Sequence, residues 1–127
     1  MTTLLVATRS SDKLAEIRRI LAPISGLEVV DLNDAGIPSS PDEDGIEPHD
    51  TFEDNAASKA RYFQALGGLP TVADDSGLVV DALGGAPGVR SKRFAPERGL
   101  QGEARDLENN RHLLELLQGT PEEERTA

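Results

Sequence analysis

A chain of 127 residues with a formal charge of −10 and no cysteine is the size of one domain. It lacks the basic stripe that a nucleic-acid partner calls for, and has no disulfide, thiolate nucleophile or cysteine-ligated zinc open to it. Aromatic residues make up only 3%, so the core must be built from Leu, Val, Ile and Ala around Phe52, Phe63, Phe94 and Tyr62. The first residues, MTTLLVATRSSDK, hold an apolar run too short for a membrane span and no basic region before it. The expectation is a cytoplasmic protein with neither nucleic-acid nor membrane partners.

In chain order, Thr3 to Ala7 reads as a short strand, and Asp12 to Leu21 as a helix with Leu14, Ile17 and Leu21 at helical spacing. Leu27 to Leu32 reads as a second strand. Asn33 to Asp50, with Pro38, Pro41, Pro48, Gly36 and Gly45, reads as an irregular loop long enough to carry function. Asp50, three residues before Glu53, is the expected cap of a helix that runs to Leu66 and stops at Gly67 and Gly68. Its apolar stripe is Phe52, Ala56, Ala60 and Phe63, and Asn55 and Lys59 share an adjacent face.

Thr71 to Ala73 and Leu78 to Leu83 read as strands on either side of Asp74-Asp75-Ser76-Gly77, and Gly84 to Gly88 as a turn. Gly102 to Leu117 reads as a last helix with Leu107, Leu114 and Leu117 inward, ended by Gly119 and Pro121. Glu122 to Glu124 reads as a solvated tail. This alternation predicts a single α/β domain with a mixed, largely parallel sheet flanked by helices, whose sites lie at the carboxyl ends of strands.

Two segments stand at such ends. Thr8-Arg9-Ser10-Ser11-Asp12-Lys13 offers hydroxyls, two bases and a helix N-terminus, which together could grip a phosphate; the same hydroxyls could simply cap the helix. Asp74 and Asp75 would point to opposite faces of a straight strand, so one of them should face the site. A carboxylate there could hold Mg²⁺ or orient a water as general base, with Ser76 adding a donor; a plain turn would use the same residues. Lys59 could serve an anion or only solvent, and Asp42, Glu43, Asp44 and Glu47 are metal ligands by type in what could also be a solvated acidic loop. His49 and His112 lack a spaced partner, and Gly84-Gly85-Ala86-Pro87-Gly88 is not a dinucleotide fingerprint.

Taken together and in order, LLVATRSSDKLAEIRRIL, TFEDNAASKAR and ADDSGLVVDALGGAPGVRSKRFA resemble the inosine triphosphate pyrophosphatase family, the non-canonical purine nucleoside triphosphate diphosphatases. The resemblance implies a hydrolase that cleaves ITP, dITP or XTP between the α and β phosphates, releasing the monophosphate and pyrophosphate with Mg²⁺ as cofactor. It implies that Thr8, Arg9, Ser10, Ser11, Asp12 and Lys13 bind the triphosphate, with Lys59 and Ser76 as further contacts. Asp75 would be base and metal ligand, and Glu43 the second metal ligand, with Asp42 and Glu47 as its rivals. A homodimer is implied as well.

Two departures stand out. The family commonly carries Thr-Gly-Asn where this chain has Thr8-Arg9-Ser10. Beyond the stretch that ends here at Pro121 to Ala127, the family continues into a second lobe whose Phe-Gly-Tyr-Asp-Pro and Ser-His-Arg segments read the base. The resemblance is therefore to the family's N-terminal portion, without its C-terminal lobe. The corresponding expectations are slow, unselective hydrolysis and an exposed, aggregation-prone sheet edge. The alternative is a catalytically inactive fragment or nucleotide-binding remnant, and a third reading is a metal-dependent phosphatase of another kind.

Overall fold

The apolar run TTLLV forms strand β1 (Thr2–Val6) at the centre of a three-stranded parallel sheet, between β2 (Leu27–Val30) and β3 (Thr71–Val72), in the order β2-β1-β3. In the computed structural model, which describes residues 1 to 127, Leu5, Val6 and Ala7 are almost wholly buried. A strand covered on both faces reads as a continuous apolar run, which is what a central parallel strand requires. Leu4 and Leu5 stand opposite Val29 and Val30 on one side, and Leu5 and Val6 opposite Thr71 and Val72 on the other. The Ala7 N–H continues the ladder by donating to the Val72 carbonyl at 2.9 Å. The carboxyl ends of β1 and β3 therefore lie side by side. The α/β class and the parallel sheet are as expected.

Helix α1 (Ser11–Leu21) joins β1 to β2, and helix α2 (Phe52–Gly67) precedes β3. The side chain that caps α2 is Thr51, accepting from the Asp54 N–H at 3.1 Å, rather than Asp50. Phe63 from α2 is the largest fully buried side chain and packs with Leu5, Ala7, Leu32 and Ile37. At the end of α2, a Cβ on Gly67 would lie 3.3 Å from Ile37 Cδ1 and 3.4 Å from Leu5 Cδ2. Glycine there lets the helix close down on the sheet. Within the loop before α2, Pro41–Gly45 winds into a 3₁₀ turn.

The chain forms two compact units, Met1–Asp75 and Ser76–Ala127. In the second unit, Leu78 to Leu83 is not a strand. Val79 pairs only with Pro87, and Asp81–Leu83 is a 3₁₀ turn. The segment folds back on the glycine-rich stretch that follows it, with Val80 N–H on the Ala86 carbonyl, Gly85 N–H on that of Val80 and Gly88 N–H on that of Leu78. With Leu78 and Val79 left exposed, the partial alternation of the sequence has no sheet to enter.

Helix α3 (Gly102–Leu116) also departs from its apolar pattern. Its inward face is Arg105, Asn109 and His112. Asn109 is buried, accepts from the Ala95 N–H at 2.8 Å and donates to the Lys92 carbonyl at 3.0 Å, and Arg105 reaches the same carbonyl. His112 meets Phe94 edge-on. Backbone groups of 92–95 need partners more than α3 needs a leucine stripe, so Leu107 and Leu114 are turned out, 61% and 60% exposed, and only Leu117 is buried as expected. No helix is long and apolar enough to cross a membrane.

This arrangement sets an order of stabilities. Leu117→Ala should cost about 2–3 kcal/mol in urea unfolding, and Leu107→Gln should stay within about 0.5 kcal/mol. The reverse order would return Leu107 to the core.

Candidate functional site

Because β1 and β3 end side by side, the segment after β1 and the Asp74-Asp75 pair after β3 are brought to one edge of the sheet. The first segment is held by its own hydroxyls. Thr8, buried, accepts from the Ser10 N–H at 3.1 Å, and Ser10 caps α1 by accepting from the Lys13 N–H at 3.3 Å. Ser11 and Asp12 are exposed in the first turn of α1. Lys13 then reaches back to Asp74, with Nζ 3.0 Å from Oδ2.

Asp75 lies at the end of the first unit. Burial pushes its carboxyl above the ordinary 3.8, and the charge of Glu47 pushes the same way; the Asn55 side chain, Lys59 and Lys13 work against them. These influences place one loop acid, one amide and two lysines around a single carboxylate. β3 stops at Val72, so Asp74 and Asp75 are not bound to the strict alternation of a strand. Asp74 Oδ1 and Asp75 Oδ2 are both buried without a hydrogen-bond partner in the protein. Such oxygens suit a hard cation, which takes oxygen ligands.

Helix α2 supplies Asn55 and Lys59, one turn apart. Asn55 is 1% exposed and clamps the loop before the helix, accepting from the His49 N–H at 2.8 Å and donating to the His49 carbonyl at 3.2 Å. Lys59 pairs with Glu47 at 3.0 Å. Their spacing was visible in the sequence, but nothing there pointed Asn55 at His49.

Arg9 and Glu43 are brought together. Arg9 Nε and Nη2 donate to the two Glu43 oxygens at 2.9 Å each, and Nη2 also donates to the Ile37 carbonyl at 3.0 Å. The guanidinium stands over the Phe63 ring, 5.7 Å from its centroid. The Ser40 N–H donates to the same carboxylate at 2.8 Å. Hydrogen bonding from Arg9 holds the Glu43 carboxyl below the ordinary carboxylate range, against an opposing push from burial.

Thr8, Arg9, Glu43, Glu47, Lys59 and Phe63 line one cavity of about 230 Å³. Thr8, Ser10 and Ser11 also border a second cleft of about 320 Å³ with Asp31, Asn33 and Ser39. Asp42 is exposed on the 3₁₀ turn, and Ser76, exposed, opens the second unit. Phe63 as a platform for Arg9 carried no signal in the sequence beyond its apolar spacing.

The profile of the Ham1 family matches residues 4–127. The chain is 48% identical over 129 residues to a dITP/XTP pyrophosphatase of Nocardia farcinica, with 100% of this chain and 58% of that protein covered. It is 47% identical over 117 residues to a dITP/XTP pyrophosphatase of Aromatoleum aromaticum, covering 92% of this chain and 54% of that one. A solved HAM1 protein from Coxiella burnetii superposes with a TM-score of 0.74 at 34% identity, covering 94% of this chain and 55% of that one. A solved nucleoside-triphosphatase, dITP/XTP pyrophosphatase, from Mycobacterium abscessus does so with a TM-score of 0.72 at 44% identity, covering 98% and 60%. The chain spans a little over half the length of these relatives.

The raised Asp75 carboxyl carries a stability consequence. Between its unfolded and folded values the folded protein holds a proton that the unfolded chain has released, so stability falls as pH rises through the raised folded value. Asp75→Asn should therefore melt at a higher temperature than wild type at pH 7, with the gain fading as the pH is lowered towards 4, close to the unfolded-state value of about 3.9. Equal melting temperatures across a pH series would show that Asp75 is not held in this way.

Proposed function

The chain belongs to the Ham1 family, and from that membership we propose that it carries the phosphate-binding and hydrolytic residues of a nucleoside triphosphate pyrophosphatase. Its substrates on this reading are non-canonical purine nucleotides, dITP, XTP and ITP, cleaved between the α and β phosphates to the monophosphate and pyrophosphate. The observation that carries the reading is Asp75: a carboxylate with a raised pKa at the carboxyl end of a parallel strand, with Lys13, Lys59 and Glu47 acting on it. The names of the relatives support the substrate class.

On this reading Asp75 takes the proton of the attacking water. A raised pKa makes the carboxylate a stronger base than an ordinary aspartate. Lys13 and Lys59 exchange their carboxylate partners for phosphate oxygens, and the start of α1 adds N–H groups and the favourable end of a helix dipole. Mg²⁺ is the proposed cofactor, and its contribution is to neutralise charge on the phosphate oxygens. Asp75 and Glu47 are the residues proposed to hold it. Glu43 is less suited than Glu47, because Arg9 and the Ser40 N–H already occupy its oxygens.

Pyrophosphate release from dITP, XTP and GTP with Mg²⁺ tests the reading on folded wild type and Asp75→Ala. Wild type should release pyrophosphate, and the variant should be slower by roughly 10²-fold or more, the usual loss of a general base. Orthophosphate as the product would point to another phosphatase chemistry. Nucleotide binding without turnover would make the chain a binding remnant.

A further inference from the structure

We infer that Arg9 and Glu43 form a clasp that positions the loop acid Glu47, so that both act as positioning residues rather than as contacts to phosphate or metal. The inference rests on the proposed roles of Asp75, Lys59 and Glu47 and goes one step past them.

The segment between β2 and α2 has no strand of its own to fix it, and its backbone must be tied down by side chains. Leu32 and Ile37 anchor its beginning in the core. At its end, Asn55 holds both backbone groups of His49. Between these points Ile46 packs against the same core, and Glu47 pairs with Lys59 at 3.0 Å in a partly exposed ion pair, which by itself constrains orientation little.

Arg9 adds a tie across the loop. It reaches across 34 positions of sequence to grip Glu43 through two parallel hydrogen bonds, which fix orientation as well as distance. The grip is itself braced by the Ile37 carbonyl and the Phe63 ring below, while Ser40 holds Glu43 from the other side. The 3₁₀ turn Pro41–Gly45 is thereby locked to the β1–α1 connection. Glu47 follows two residues after that turn and two before His49, so both ends of its short span are fixed. For Arg9 to grip a phosphate through Nε and Nη2 instead, it would have to release Glu43 and the Ile37 carbonyl.

Amide hydrogen exchange over residues 38–49 and Mn²⁺ titration, both on the full chain, test the clasp with Arg9→Ala, Arg9→Lys and Glu43→Gln. Exchange over 38–49 should quicken in Arg9→Ala while β1 stays protected, and Mn²⁺ affinity should fall roughly tenfold, as for other groups that orient a metal ligand. Arg9→Lys should not rescue either readout, because an ammonium cannot bridge two oxygens in parallel. Glu43→Gln, a small change that keeps the fold, should be intermediate in both. Unchanged exchange in Arg9→Ala and Glu43→Gln overturns the clasp, and so does faster exchange with unchanged Mn²⁺ affinity. A loss of inorganic pyrophosphate binding alone would make Arg9 a phosphate contact and also overturn it. Wild type that binds no Mn²⁺ tells against the proposed metal role of Asp75 and Glu47; the clasp is then judged on exchange alone, standing if 38–49 opens in the variants and falling if it does not.

Discussion

Each cation at this sheet edge is already matched to a carboxylate: Arg9 to Glu43, Lys13 to Asp74 and Lys59 to Glu47, with Asp75 beside them. In a chain with a formal charge of −10, unmatched acids would repel one another, and the pairs are what let the two loops and α2 meet at one place. The same matching sets the terms for binding a polyanion. If the lysines turn to phosphate oxygens, Asp74 and Glu47 are released beside Asp75, and the anion faces several like charges. A divalent cation relieves that repulsion, so on the proposed reading nucleotide and cation favour each other's binding. On that reading the pairs hold the free protein together and rearrange when nucleotide binds.

What was legible in the sequence was mostly what local spacing decides. The strand at β1, the helices α1 and α2 and the strand at β2 follow from apolar periodicity and breakers, and they come out within a few residues of expectation. The α2 cap slipped by one residue because Asp50 and Thr51 are both good caps, and only backbone geometry chooses between them. Leu78 to Leu83 failed for a different reason. Its alternation is real, but a strand exists only where a neighbour offers a ladder, and the following glycines offer it a tight turn instead. In α3, buried Asn109 answering two backbone groups outweighs the leucine pattern, an instance of polar satisfaction deciding which face turns inward.

Site residues divide along the same line. Lys13, Lys59 and Asp75 could be picked out because each sits at a strand end or on a helix face that the pattern already located. The partners of Arg9 and Glu43 could not, because they lie 34 positions apart and neither residue type announces a mate. An arginine after a strand reads as a phosphate contact, and a glutamate in a loop as a metal ligand. Folded against each other, they become a support for the residues around them. Asn55 teaches the same point: its spacing from Lys59 was plain, but its burial and its hold on His49 appear only when the loop is in place.

The two orphaned oxygens show what this edge of the sheet gives up. A buried acceptor without a partner costs about 1–3 kcal/mol, and adjacent residues, Asp74 and Asp75, each carry one. Elsewhere in the same unit comparable groups are satisfied: Asn55 uses both ends of its amide, and Glu43 uses both oxygens. The fold is thus able to satisfy buried polar groups and leaves these two unsatisfied at the place where the strand ends and the lysines converge. A fully hydrogen-bonded carboxylate would be more stable but would have no lone pair free for a cation or an attacking water. On the proposed reading, unsatisfied oxygens held by a well-satisfied surround exchange stability for readiness to bind.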